Sequence, residues 1–291
     1  MTSVKGKYSV LAVGIATIDI ISVVEQYPAA NDEVRASQRY IQRGGNACNT
    51  LVVLSQLGCE CSWAGTLAKD PWSISITQDL DAYCIDQSAV VRYEGASPLS
   101  CITLDSTTGS RTIVHYRDLP ELDFNNFKKQ NFSQFDWIHF EGRNVEQTLL
   151  MLKYISSLEL DISVSLEVEK NREGIASLFG FADIVIFSKN YVTSMKQNSA
   201  IEFLQNTYQA TYKAMFCPWG DEGAWGINKT GLYHSPAIKL ENVEGTTGAG
   251  DVFNAGVINS MLNDMSLQAC LDSACKLAAR KCGRKDFDLK S

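Results

Sequence analysis

The residues Glu244-Gly245-Thr246-Thr247-Gly248-Ala249-Gly250-Asp251-Val252-Phe253-Asn254-Ala255 hold the chain's densest chemistry. Three glycines within six positions let the backbone approach a ligand closely and adopt positive φ. Val252, Phe253, Val257, Ile258, Met261 and Leu262 then recur at intervals of three and four, which predicts a helix. A glycine turn that opens a helix presents free amides, and the helix dipole favours an anion above them. Asp251 would oppose simple anion binding there. It makes sense as a base that takes a proton from a hydroxyl attacking a phosphate.

Two familiar glycine motifs do not fit. Gly245 and Gly250 have Walker A spacing, but Asp251-Val252 stands where Lys-Ser/Thr belongs. A dinucleotide fingerprint counted from Gly248 needs a small residue at Phe253, and it belongs early in a βαβ unit, not near the C-terminus.

A second constellation lies near the N-terminus. Asp19 sits between Thr17-Ile18 and Ile20-Ile21, where a carboxylate needs partners. Ligand hydroxyls would supply them, although Asp19 also reads as a turn or capping acid. Arg43-Gly44-Gly45-Asn46-Ala47-Cys48-Asn49 leads into a helix ending at Gly58. Asn46 and Asn49, three apart, share one face of its first turn. Two amides beside a bare Gly-Gly backbone suit a polyhydroxylated ligand; Asn46 also reads as a plain N-cap. Arg111, near a hairpin tip, reads either as a phosphate contact or as a solvated charge.

Composition bounds these readings. The chain has 291 residues, 45% hydrophobic and 20% charged, which is ordinary for a globular protein with a large core. A net charge of −7 argues against nucleic-acid and anionic-membrane partners. Nine cysteines without a Cys-x-x-Cys pair, no leader-like segment and no membrane-length apolar run predict free thiols in the cytoplasm. Three scattered histidines give little support to a histidine metal site or a Ser-His-Asp hydrolase.

The elements alternate. Strands are expected over 8–14, 62–67, 136–140, 162–168, 183–187 and 214–217, with helices near 46–57, 72–83, up to 157, after 250, and over 266–280. Charged or glycine-containing strand ends at Glu141-Gly142-Arg143-Asn144, Glu169-Lys170 and Ser188-Lys189-Asn190 should surround one crevice. Four β-rich runs, near 20–24, 34–42, 99–105 and 110–116, interrupt the alternation and predict a small separate sheet, placed as a lid. The fold class is therefore α/β, a central mostly parallel sheet flanked by helices. Residues 1–14, 43–94 and 117–291 form the main domain, and 15–42 with 95–116 form the β-sheet lid.

The Gly-Ala-Gly-Asp-x-Phe-Asn-Ala stretch at 248–255, with Gly44-Gly45-Asn46, resembles the signature pair of the ribokinase (PfkB) sugar-kinase family. Ser37-Gln38-Arg39, Gln42 to Ala47, Gly109 to Ile113, Trp137-Ile138-His139, Glu141 to Asn144, Glu167-Val168-Glu169-Lys170 and Lys281-Cys282-Gly283 are similar to its branch acting on the first carbon of fructose. The resemblance spans essentially the whole chain. It implies a ribokinase-like fold, with Asp251 as base and the amides of Gly248, Ala249 and Gly250 as anion hole. Fructose would be held by Asp19, Gly45, Asn46, Asn49 and Asp251. ATP would meet Arg111, the loop of Trp219, Gly220, Asp221, Glu222 and Gly223, the 248–250 turn, and Cys282. It also implies Mg²⁺, stimulation by K⁺, and a homodimer clasped through the lid, with the Asn31-Asp32-Glu33 loop entering the partner's site. The metal ligands stay unassigned, because Asn190-Tyr191-Val192-Thr193 lacks the acid of the family's Asn-x-x-Glu motif. Other readings are a family kinase for ribose or a nucleoside, or a catalytically silent sugar binder.

Overall fold

The computed structural model describes residues 7–289, so the expected domain pieces 1–14 and 117–291 reach, at 1–6 and 290–291, outside the described residues. In chain order, β1 (Ser9–Val13), β2 (Thr17–Val24) and β3 (Gln38–Gly44) precede α1 (Asn46–Gln56). β4 (Glu60–Ala64), β5 (Thr66–Ala68), α2 (Pro71–Ala82), β6 (Val91–Tyr93), β7 (Leu99–Asp105) and β8 (Arg111–Tyr116) follow. Then come α3 (Phe124–Phe127), β9 (Trp137–Glu141), α4 (Val145–Ser157), β10 (Ser163–Val168), β11 (Ile184–Phe187), α5 (Lys189–Ser194) and α6 (Ala200–Thr207). β12 (Ala214–Pro218), β13 (Ala224–Asn228), β14 (Gly231–Ser235), α7 (Ala249–Leu262) and α8 (Leu267–Cys282) complete the chain.

Eight strands form the main sheet in the order β14-β13-β12-β11-β10-β9-β1-β4, parallel from β12 to β4. Both of its faces are covered. Val10 and Ala12 of β1 pack with α1, α7 and α8, whereas Leu11 and Val13 pack with α3 to α6 on the other side. Burial on both faces is why these strands read as unbroken apolar runs. Their carboxyl ends bring Gly14, Glu141 and Glu167 to one edge of the sheet, where an open parallel sheet places its ligands.

Two details differ from the sequence reading. The strand expected over 62–67 is two strands, because the chain breaks at Gly65. There a Cβ would lie 2.5 Å from the Gly14 carbonyl oxygen, and β5 leaves to pair with β6. The antiparallel hairpin β13–β14 at the sheet edge was not expected. Its turn is set by Asn228, whose side-chain oxygen accepts from the amide and hydroxyl of Thr230.

The four interrupting β runs do form their own sheet, in the order β3-β2-β7-β8. β2 and β7 are parallel, and the flanking pairs are antiparallel. Asp105 shapes the β7–β8 turn by accepting from the amides of Thr107 and Thr108. β3 runs to Gly44, directly into α1, so this sheet is joined to the glycines that open the helix.

α7 and α8 pack most closely at Gly256, where an added Cβ would lie 2.6 Å from Ala274 Cα. Elsewhere in a helix, Gly→Ala gains about 1 kcal/mol. Against unyielding backbone the sign reverses. Gly256→Ala should lower unfolding free energy by about 1–3 kcal/mol in a denaturant titration; an equal or higher midpoint would contradict this packing.

Candidate active site

Asp251 is the third residue of α7, and it is only 6% exposed. The residue capping this helix must be glycine for two reasons. Gly248 has φ of 81°, and a Cβ there would sit 2.3 Å from the Phe287 ring. α1 opens in a similar way at Gly45, with φ of 101° and a virtual Cβ 2.1 Å from the Ile15 carbonyl oxygen. The two helix starts converge, so residues far apart in sequence meet. Asn49 Nδ2 donates to Asp251 Oδ2 at 2.6 Å, and Thr50 Oγ1 donates to the Asp251 carbonyl at 3.2 Å.

Carboxylates crowd the same space. Glu141, at the end of β9, is pinned by the amides of Ile15 and Ala47, both at 2.9 Å. Glu167, at the end of β10, accepts from Asn46 Nδ2 at 3.1 Å, while its Oε2 is buried without a partner. Burial raises Asp251 well above the usual carboxylate range; Glu169 and Glu141 add to this, and the Asn49 donor opposes it. Glu167 is likewise raised, by burial first and then by Asp251 and Glu141. Among the described residues, no three His, Cys, Asp or Glu side chains are grouped to hold a metal. The lone Glu167 oxygen is nonetheless a hard donor of the kind magnesium takes while keeping water and phosphate in its shell.

Asp19 faces this region from β2. Its Oδ1 accepts from Thr17 Oγ1 at 3.0 Å, and a Cβ on Gly44 would lie 2.4 Å from its other oxygen. Burial raises Asp19 too, while Ser100 and Thr17 donors oppose the shift. Arg111 bridges from β8 to the glycine turn, with Nη1 3.1 Å from Thr247 Oγ1 and 3.4 Å from Thr246 Oγ1. A cleft of about 610 Å³ opens between this sheet and the turn, lined by Arg111, Thr246, Thr247 and Lys281. A more apolar cleft of about 480 Å³ adjoins it, reaching Ala249, Gly250, Phe253 and Cys282.

Most of the expected residues therefore converge: Asp251, Gly248, Ala249, Gly250, Gly45, Asn46, Asn49, Asp19, Arg111 and Cys282. Some details differ. Asn49 turns its Oδ1 to Arg43 and its Nδ2 to Asp251, which leaves one N–H and one lone pair for a further partner. The Ala249 amide donates to the Thr246 carbonyl at 3.2 Å, so an anion there must compete with that bond. Gly220, Asp221 and Gly223 line the apolar cleft, but Trp219 and Glu222 do not. Trp219 is instead buried in the core, with the Lys189 ammonium over its ring. Arg43, Glu141, Glu167, Lys281 and Phe287 were given no role from sequence. Glu141 carried a signal, as the charged end of an apolar strand, whereas Glu167 was read inside the 162–168 strand with Glu169-Lys170 at its end.

Comparison with known proteins agrees with this geometry. The family model "pfkB family carbohydrate kinase" matches residues 7–288. Ketohexokinase of Mus musculus is 37% identical over 290 residues, covering 96% of this chain and 97% of its own. A nucleoside kinase of Methanocaldococcus jannaschii is 22% identical, covering 90% of this chain and 86% of its own. Among solved structures, a putative ribokinase from Agrobacterium tumefaciens superposes with a TM-score of 0.82 at 22% identity, over 97% of this chain and 93% of its own. Ribokinase from Thermotoga maritima gives 0.76 at 18% identity, over 97% and 94%. These two likenesses establish the ribokinase-like fold.

Glu167 generates a stability prediction. A carboxyl that holds its proton more tightly when folded loses stability as pH rises above its ordinary value of 4.5. Glu167→Gln removes that loss while keeping the acceptor for Asn46. At pH 8 the free variant should melt about 2–4 °C above wild type, and at pH 4 the two should coincide. A variant less stable than wild type at pH 8 would contradict the burial of an unpaired charge.

Proposed function

We propose that this chain, which belongs to the pfkB family of carbohydrate kinases, transfers the γ-phosphoryl group of ATP to the C1 hydroxyl of fructose (ATP:D-fructose 1-phosphotransferase). The observation that carries the reading is Asp251: a buried, proton-binding carboxylate at the glycine-capped start of α7, next to Ala249 and Gly250, which line a cleft of about 480 Å³. The 37% identity to a ketohexokinase over nearly the whole chain supports fructose over ribose or a nucleoside.

Phosphoryl transfer asks a protein mainly for alignment and charge neutralisation. Asp251 takes the C1 hydroxyl proton as that oxygen bonds to the γ-phosphorus and the bond to the ADP oxygen breaks. Its raised pKa suits the role, because a general base works best when its pKa lies near the operating pH, basic enough to take a proton yet ionised in part. The Gly248 to Gly250 amides and the α7 dipole receive the charge that spreads over the transferred group. Asp19, Gly45 and Asn46 hold sugar hydroxyls, with Asn49 beside them. Arg111 meets the phosphates, and the cleft of Gly220, Asp221, Gly223 and Cys282 takes the base and ribose.

Glu167 would hold Mg²⁺ through its unpartnered Oε2, and the bound ion would neutralise phosphate charge. Stimulation by K⁺ belongs to the same proposal and is read by omitting it from the assay. The four-stranded sheet acts as a lid that excludes competing water. It also clasps a second copy: β8 is exposed throughout although it carries Ile113, Val114 and Tyr116, with Val114 69% exposed. In this reading the loop Asn31-Asp32-Glu33, which is exposed, would enter the partner's site. Nine free cysteines favour a reducing, cytoplasmic setting, and no helix among the described residues is long and apolar enough to cross a membrane.

Asp251→Asn should lower turnover by about 10²–10⁴-fold with ATP and fructose, the usual size of a general-base contribution. Near-normal turnover would remove Asp251 from this role. Product analysis by ³¹P and ¹³C NMR should place phosphate on C1; phosphate on C6, or preferential use of ribose or adenosine, would point to another kinase of the family.

A further inference from the structure

Asn49 stands between two groups of opposite hydrogen-bonding character. Arg43 Nη1 donates to its Oδ1 at 2.6 Å, and its Nδ2 donates to Asp251 Oδ2 at 2.6 Å. All three side chains are buried. A guanidinium has only donors, whereas an amide offers an acceptor on one side and donors on the other. The contact with Arg43 therefore dictates which way the amide points. Turned over, Asn49 would set donors against donors at Arg43 and lone pairs against lone pairs at Asp251. Arg43 is itself held from two directions. Its Nε donates to Asp79 of α2 at 2.5 Å, and its guanidinium lies over the Phe287 ring, 5.9 Å from the centroid. Phe287 in turn closes on Gly248, so the same ring braces Arg43 and the catalytic turn.

We propose that Arg43 is a positioning residue: by fixing the polarity of Asn49 it commits Oδ2 of Asp251 to an amide donor and reserves Oδ1 for the acceptor hydroxyl's proton. This rests on Asp251 being the base. The carboxylate faces Glu141 from β9, Glu167 from β10, Glu169 just beyond it, the Cys48 thiol of α1, and the cations Arg43 and Lys281. In so acidic a surrounding the Asn49 N–H is its one neutral side-chain donor. Losing that donor and gaining a carbonyl in its place would make Asp251 hold its proton more tightly, and turnover would then need a higher pH.

The test is the pH dependence of kcat and of KM for fructose, with MgATP, in Arg43→Met, Arg43→Gln and Arg43→Lys, with Asp251→Asn as reference. Arg43→Met frees Asn49 to turn over. The acid limb of kcat should move up by about one unit, with about tenfold lower turnover on that limb, while KM for the sugar stays within about twofold. Arg43→Lys still presents only donors, so its limb should stay where wild type has it even if turnover falls. Arg43→Gln, whose amide accepts either polarity, should show an intermediate shift, and it decides the matter if Arg43→Met does not fold. An unmoved limb in Met and Gln, an equal shift in Met and Gln (the loss of the Arg43 charge alone), or a shift in Lys as large as that in Met overturns the proposal. If Asp251→Asn turns over normally, the base assignment itself fails. If Asp251→Asn is inactive while the Arg43 variants titrate as wild type, only the positioning role fails.

Discussion

The placement of one carboxylate under protein, among others of its kind, is the constraint that the site depends on. An ionised Asp251 in this position is expensive unless donors and a helix dipole face it. The start of α7 supplies the dipole, and Asn49 from α1 supplies the donor. Both helices can reach it only because glycines open them, Gly248 beneath Phe287 and Gly45 against the Ile15 carbonyl. Glu141 lies in the same region yet is pinned by two amides, so its charge ties β1, β9 and α1 together. Glu167 keeps one buried oxygen unpartnered, and it holds its proton more tightly than an ordinary carboxyl. The strain of gathered negative charge is thus built into the resting site and relieved by protons or by ligands.

The frame was largely legible in the sequence, because parallel strands buried on both faces leave continuous apolar runs and loops with charged ends. The four β runs outside that rhythm were visible through β-rich composition, a hairpin signal at 106–109 and weak two-residue alternation over 34–42. Asp251 stood out in the sequence through a near-miss, an acid standing where a phosphate loop has lysine. What was not legible depends on tertiary contact. Nothing local marks Gly65 as the point where a strand divides; the cause is the Gly14 carbonyl, far away in sequence. The tryptophan of the 219–223 loop looked like a ligand platform, yet it completes the core. The bond from Arg43 to Asn49 was not legible either, because the guanidinium belongs to the preceding strand, six residues away.

The two sheets divide the work along physical lines. The main sheet is packed on both faces and holds its strand ends in a fixed array, which suits groups that must not move during the reaction. The smaller sheet carries Asp19 on one strand and Arg111 on another, and it meets the main domain through α2 and the glycine turn. A ligand bound between them would touch both, so closure and substrate binding share the same contacts. β3 runs through Gly45 straight into α1, so the smaller sheet and the start of that helix are one continuous segment.

The most direct test of this account is the protonation of Asp251 itself. In protein labelled with ¹³C at aspartate carboxyls, NMR titration of the free enzyme should show one resonance titrating well above the ordinary carboxylate range. Asp251→Asn should remove that resonance. If the resonance that disappears in Asp251→Asn titrates near the ordinary value of 3.8, the carboxylate is solvated, and the site is not organised around a buried base.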